Sequence, residues 1–344
     1  MSQDVLFERR GAVGLITLNR PKALNALTRD MCIAMKAQLA EWAADGAIET
    51  VVIRGAGERA FCAGGDIRAL YESGKSGTPY ALDFYRDEYR LNAAIRHFPK
   101  PYIALLHGIV MGGGVGVSVH GSHRVADETV TFAMPETGIG LFPDVGGSYF
   151  LPRLPGELGI YLALSGERLK TADSVYAGVA THFVPAREME ALVAALEDGT
   201  EPDFVLRSFA QAPGPAPIEQ RREAIDATFA ETSVEGILAA LDGEGSDWAR
   251  ETAAVICKKS PTSLKITFRQ IRQGARLGFD DCMRMEFRMV SRIVAGHDFY
   301  EGVRAAIIDK DNTPKWQPPT LAEVSEAEIA AYFGPLGEKE LQLD

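Results

Sequence analysis

Cysteine is scarce in this chain: four in 344 residues, Cys32, Cys62, Cys257 and Cys282, with no Cys-x-x-Cys pair and no His/Cys cluster. That spacing excludes a disulfide framework and a structural zinc site and predicts reduced thiols in a reducing compartment. Long apolar runs are missing too. No 18 consecutive apolar residues occur, which removes a transmembrane helix. The opening Met-Ser-Gln-Asp-Val has neither a basic stretch leading into an apolar one nor an Arg/Ser-rich character, so no targeting signal is read and a cytoplasmic enzyme is expected. Basic charge is in deficit, 36 Lys and Arg against 47 Asp and Glu for a net charge of -11, which argues against nucleic acid and membrane surfaces as partners. Gly-x-Ser-x-Gly and Gly-x-x-x-x-Gly-Lys-Ser/Thr are both absent, so serine-hydrolase elbow and P-loop chemistry fall away.

What remains is 46% hydrophobic and 24% charged, the composition of a globular chain long enough for about two domains. Val5 to Glu8 and Ala12 to Leu18 flank Arg10-Gly11 as an opening hairpin. Thr28 is a candidate N-cap for a helix whose stripe is Met31, Met35, Leu39 and Trp42. Thr50 to Arg54 reads as a buried strand, followed by a glycine-bearing loop from Gly55 to Gly65, and Tyr102 to Leu106 as another buried strand. Tyr80, Phe84, Leu91, Ile95 and Phe98 fit a long amphipathic helix, on which Glu88 falls between the stripe and the solvated face. Strands, Gly-rich turns and helices alternate to about residue 185, which predicts an α/β domain over 1–185. No internal repeat is visible. From 186 to 312 the text is helical, interrupted by Ala212 to Pro217, with Ser260-Pro261 opening one helix and Met283, Phe287, Val290 and Val294 marking another. Residues 313–344 read as a peripheral tail.

The chemistry concentrates in two places. Pro135-Glu-Thr-Gly-Ile-Gly-Leu-Phe-Pro-Asp144 sets two carboxylates among apolar and turn-forming residues, where a desolvated acid gains a pKa suited to general acid or base work. His107-Gly-Ile-Val-Met-Gly-Gly-Gly-Val-Gly116 follows a strand, as Gly64-Gly65 does, and N–H groups at such turns can point at developing negative charge. One N–H from each would form an oxyanion hole, each donor supplying about 3–4 kcal/mol in the transition state. His107 and His120 lack spaced partners and are read as structural; Cys62 is read as a small buried side chain.

At these residues the chain resembles the enoyl-CoA hydratase/isomerase, or crotonase, superfamily: Asn19-Arg-Pro-Lys-Ala-Leu-Asn-Ala-Leu27, Ala63-Gly-Gly-Asp-Ile67, Gly112-Gly-Gly114 and Pro135-Glu136 occur in the family's order. The resemblance implies a crotonase-like spiral core of repeated ββα units with a helical C-terminal region. It implies an acyl-CoA thioester as substrate, Gly65 and Gly113 as the oxyanion donors, and Glu136 as the catalytic acid. It also implies that the coenzyme runs along Lys22, Ala23 and Leu24 and along Ala63, Asp66 and Ile67. Superfamily hydratases carry a second glutamate where this chain has Gly116, so the acid and base pair that adds water to a double bond is incomplete. An extra acid appears instead at Asp144. Met134 to Leu154, Ser260 to Thr267 and Gly296 to Asp311 resemble the 3-hydroxyisobutyryl-CoA hydrolases of valine breakdown nearly end to end, with Ser148 where a third glycine is common.

That group implies a thioesterase in which Glu136 activates water or attacks the carbonyl, while Asp144 and Glu88 grip the acyl hydroxyl or place the water. An enoyl-CoA isomerase or hydratase is the alternative, and a scaffold role the third, since some crotonase-like chains bind RNA; the negative charge opposes the last. No metal and no cofactor is implied, CoA being part of the substrate. Superfamily members often form trimers, and the sequence leaves a homo-oligomer open.

Overall fold

The computed structural model describes residues 3–343. The strands are β1 (Val5–Arg10), β2 (Val13–Leu18), β3 (Thr50–Gly55), β4 (Ala60–Cys62), β5 (Tyr102–Leu106), β6 (Ile109–Met111), β7 (His123–Ala126), β8 (Thr131–Ala133), β9 (Leu169–Lys170) and β10 (His182–Phe183). They form a six-stranded sheet ordered β1-β2-β3-β5-β7-β10 and a four-stranded sheet ordered β4-β6-β8-β9. β1–β2 and β8–β9 pair antiparallel, and the remaining pairs are parallel.

The repeat that the sequence hides is plain in the topology. β3–β4, β5–β6 and β7–β8 each place their first strand in the larger sheet and their second in the smaller one. β4 lies inside the stretch read as the Gly55 to Gly65 loop. A three-residue strand is too short to show a period of two, so its pattern is lost among the glycines around it.

Contacts divide the chain into two compact units, each built from separated stretches. The first is Met1–Gly65, Arg90–Ala133 and Arg168–Glu219; the second is Asp66–Tyr89, Met134–Glu167 and Gln220–Asp344. In the first, Val13, Leu15, Val52, Ile103, Leu105 and Val125 form one sheet face and bury themselves against Leu192, Val193, Leu196, Val205 and Leu206 of the helices Met189–Leu196 and Pro202–Phe209. The helix Arg29–Ala44 is capped by Thr28 and sets Trp42 edge-on to Phe7 at 6.1 Å.

In the second unit the helix Leu158–Ser165 is buried on all sides, as its unbroken apolar text requires. Tyr161 stacks edge-on to Phe229 at 5.2 Å. The helix Pro261–Gly274 starts at the Ser260 cap, and Phe279–Ile293 presents Met283, Phe287 and Val290 inward. The stretch read as a tail contains a capped helix, Glu326–Phe333, with Ile329 and Leu341 buried. Arg288 Nε donates to Glu340 at 2.8 Å and Lys265 Nζ to the Val324 carbonyl at 3.1 Å.

Candidate active site

In the first unit two glycine turns meet. A Cβ built on Gly64, whose φ is +120°, would stand 3.6 Å from the Met111 carbonyl and 3.8 Å from the Gly113 nitrogen. A Cβ on Gly114 would stand 2.2 Å from the Cys62 carbonyl, a separation that only glycine permits. Gly113 is the first residue of a four-residue helix, Gly113–Gly116. Among the described residues, the Gly65 and Gly113 N–H groups have no acceptor. Lys22 and Ala23 lie in a short 3-10 helix beside this turn, because the Ala63 N–H donates to the Leu24 carbonyl at 3.0 Å and the Leu27 N–H to the Gly64 carbonyl at 2.8 Å.

The loop is locked by Asn25, fully buried with φ +56°, which accepts from the Arg20 N–H at 3.0 Å and donates to the Ala56 and Ala60 carbonyls at 2.9 and 2.8 Å. Cys62 is buried, its thiol 3.5 Å from the Gly64 carbonyl. His107 lies by Asp127, and burial holds its pKa below the usual range.

The second unit holds the acids. Glu88, Glu136 and Asp144 are all buried, at 2%, 5% and 3% exposure. Asp66 caps the helix Ile67–Ser76, accepting from the Ala69 N–H at 3.3 Å, and Ile67 is that helix's first residue. Glu136 opens a 3-10 turn that ends at Gly140, where φ is +72° and a Cβ would meet the Asp298 carbonyl at 2.2 Å. The chain then reaches Pro143, whose carbonyl accepts from Gln270 Nε2 at 2.6 Å, and Asp144, whose Oδ2 accepts from the Tyr89 hydroxyl at 2.9 Å.

Val145, next in sequence, has φ +50°. A β-branched side chain in the left-handed region is strained by about 1–3 kcal/mol. The turn is held by Glu286, fully buried, whose carboxylate accepts from the Gly146 N–H at 2.8 Å, the Ser148 N–H at 2.9 Å and the Ser148 hydroxyl. Ser148 thus supplies two of the three donors to Glu286.

Burial is the first cause that raises the pKa of each acid. For Glu88 it is joined by the charges of Asp144, Glu136 and Glu286; for Glu136 by Asp144, with Lys259 opposing. Burial raises Asp144 against the Tyr89 hydrogen bond, and pushes Glu286 up to about 8 against the bonds from Ser148 and Gly146. Several acids at close range and out of water cannot all ionise, so this cluster holds protons near neutrality. Glu88 Oε1 and Glu136 Oε2 have no partner among the described residues. Among those residues no group of three or more His, Cys, Asp or Glu is disposed to hold a metal ion.

Placing Glu88 between the stripe and the solvated face is corrected here. It points inward in line with Phe84, Leu91 and Ile95, because steps of four, three and four residues keep one helix face. Sequence reasoning missed Tyr85, Tyr89 and Glu286. The signal for Glu286 was present: it falls within the Met283, Phe287, Val290 stripe, where a carboxylate has no place unless it is partnered.

Residues 13–333 match the family described as enoyl-CoA hydratase/isomerase. This chain belongs to that family. Its crotonase-like fold is shared with a solved carnitinyl-CoA dehydratase from Mycobacterium thermoresistibile, at a TM-score of 0.95 and 43% identity over 100% of this chain and 99% of that one. Two family relatives are each called "3-hydroxyisobutyryl-CoA hydrolase, mitochondrial". The Danio rerio protein is 52% identical over 99% of this chain and 92% of its own length. The Rattus norvegicus protein is 49% identical over 98% and 91%. Those names overturn the expectation of a cytoplasmic enzyme. Reduced thiols and an acidic surface mark a chemical setting and do not single out one compartment.

Proposed function

We propose that this family member is a 3-hydroxyisobutyryl-CoA hydrolase, releasing 3-hydroxyisobutyrate and free CoA in valine catabolism. The Gly65 and Gly113 N–H groups polarise the thioester carbonyl, and the coenzyme lies along Lys22 to Leu24, Ala63, Asp66 and Ile67. Glu136 delivers the oxygen. As a nucleophile it forms a mixed anhydride and expels the CoA thiolate, and water then cleaves the anhydride; as a general base it directs water to the carbonyl in one addition. Glu88 and Asp144 receive the acyl hydroxyl and place the water.

The observation that carries this reading is the desolvated cluster of Glu88, Glu136 and Asp144, together with the lack of any acid in the glycine helix Gly113–Gly116. The relatives' names support it. Strand register is in keeping with it: β6 and β8 run parallel with Met111 opposite Ala133, so both strands end on the same side of one sheet. Likeness to a solved enzyme named a dehydratase favours a second reading, reversible hydration of an enoyl-CoA.

Thiol release from 3-hydroxyisobutyryl-CoA, measured beside hydration of crotonyl-CoA and repeated with Glu136→Gln, separates the two. Release that the substitution lowers by about a thousandfold or more is expected. Hydration without release would overturn the hydrolase. In a single turnover, hydroxylamine trapping of an acyl-enzyme assigns Glu136 as nucleophile, and its absence assigns a base.

A further inference from the structure

Two tyrosines one helical turn apart, Tyr85 and Tyr89, are both buried beside the acids, and only one is satisfied. The Tyr89 hydroxyl donates to Asp144 at 2.9 Å. The Tyr85 hydroxyl is fully buried and has no hydrogen-bond partner among the described residues. Its ring is fixed, edge-on to Phe84 at 5.6 Å and to Tyr89 at 6.0 Å. Glu88 lies one turn along the same helix, and Tyr89, against which the ring packs, is bonded to Asp144; burial first, and then the charges of Asp144, Glu88, Tyr300 and Glu136, raise the phenol's pKa. A buried hydroxyl without a partner is destabilising in the free protein, and phenylalanine would fill the same space without that penalty.

We infer that Tyr85 is a specificity-determining residue that donates its phenolic hydrogen to the hydroxyl oxygen of a hydroxyacyl-CoA. The inference rests on the proposed hydrolase reading and goes beyond it. A ligand hydroxyl both gives and accepts a hydrogen bond. The acid that takes the ligand's hydrogen acts there as an acceptor, so the ligand oxygen still calls for a donor from another group. The unpartnered Glu88 Oε1 or Glu136 Oε2 takes the ligand's hydrogen, and Tyr85 supplies the missing donor. An acyl chain lacking the hydroxyl leaves the phenol and the carboxylate unsatisfied together, and it is rejected for that reason. Tyr89 cannot do this work, since its hydrogen is committed to Asp144.

The test is Tyr85→Phe in the full chain, with kcat/KM measured for 3-hydroxyisobutyryl-CoA and for isobutyryl-CoA, and thermal unfolding of the free enzyme recorded alongside. Expected are a roughly tenfold fall with the hydroxylated substrate, little change with the deoxy one, and a Tm equal to or above that of wild type. Equal falls with both substrates, an unchanged ratio, or a lowered Tm would overturn the assignment and make Tyr85 a packing residue. Wild-type enzyme that releases CoA from neither substrate would sink the hydrolase reading and this inference with it. An active wild type whose preference survives Tyr85→Phe would remove the inference alone.

Discussion

Glu286 is where burial and hydrogen bonding oppose each other most directly. Three donors favour its carboxylate, yet desolvation is the larger effect and pushes its pKa from 4.5 up to about 8. Glu286→Gln keeps the shape and one acceptor oxygen but turns an amide N–H₂ toward a donor, at a cost of about 1–3 kcal/mol that does not vary with pH. The wild-type group adds a term that does vary. Between pH 4.5 and about 8 the folded protein holds a proton that the unfolded chain has released, so its unfolding free energy falls as pH rises. The slope is about 1.4 kcal/mol per unit, and the whole window amounts to about 5 kcal/mol. The wild type should therefore exceed the variant most at the acid end, and the gap should close and change sign as pH approaches 8. Urea denaturation of both proteins at pH 5, 6, 7 and 8 measures this. A gap independent of pH would show that the three donors outweigh burial and that Glu286 is ionised throughout.

Tyr89→Phe removes the larger of the two hydrogen bonds that hold the Asp144 pKa down against burial, leaving only the backbone one, so the acidic limb of the kcat/KM profile should move to higher pH. A limb that stays in place would take Asp144 out of the ionisation controlling the rate. Asn25→Ala deletes three hydrogen bonds at a left-handed position that asparagine tolerates better than alanine, with an expected loss of about 2–4 kcal/mol by urea midpoint. A loss under about 1 kcal/mol would mean that neighbouring backbone holds the Lys22 to Leu24 turn without it.

Where local chemistry dictates local structure, the sequence was readable. Tyr102 to Leu106 is β5 with the expected bounds; Thr28 caps its helix through the Met31 N–H; Ser260 caps the helix that Pro261 begins. Caps and continuous apolar strands act through residues three or four apart, so a single segment contains the whole cause. β4 escaped because three residues carry no period, and the structural repeat escaped because alternate assignment of strands to two sheets leaves no mark on composition.

By itself the sequence determined which groups are present: a Pro135 to Asp144 segment with two acids, glycines at turns that admit no side chain, and a glycine helix without the second glutamate that hydration chemistry wants. It also determined where caps and breaks fall. Only the tertiary structure decided which acids share one dry environment. Glu286 reaches Gly146 from 140 residues away, and Tyr89 reaches Asp144 from 55. The reason is physical: a carboxylate's protonation and direction depend on the solvent removed from around it and on neighbours brought in by packing, and neither is a property of the adjacent chain.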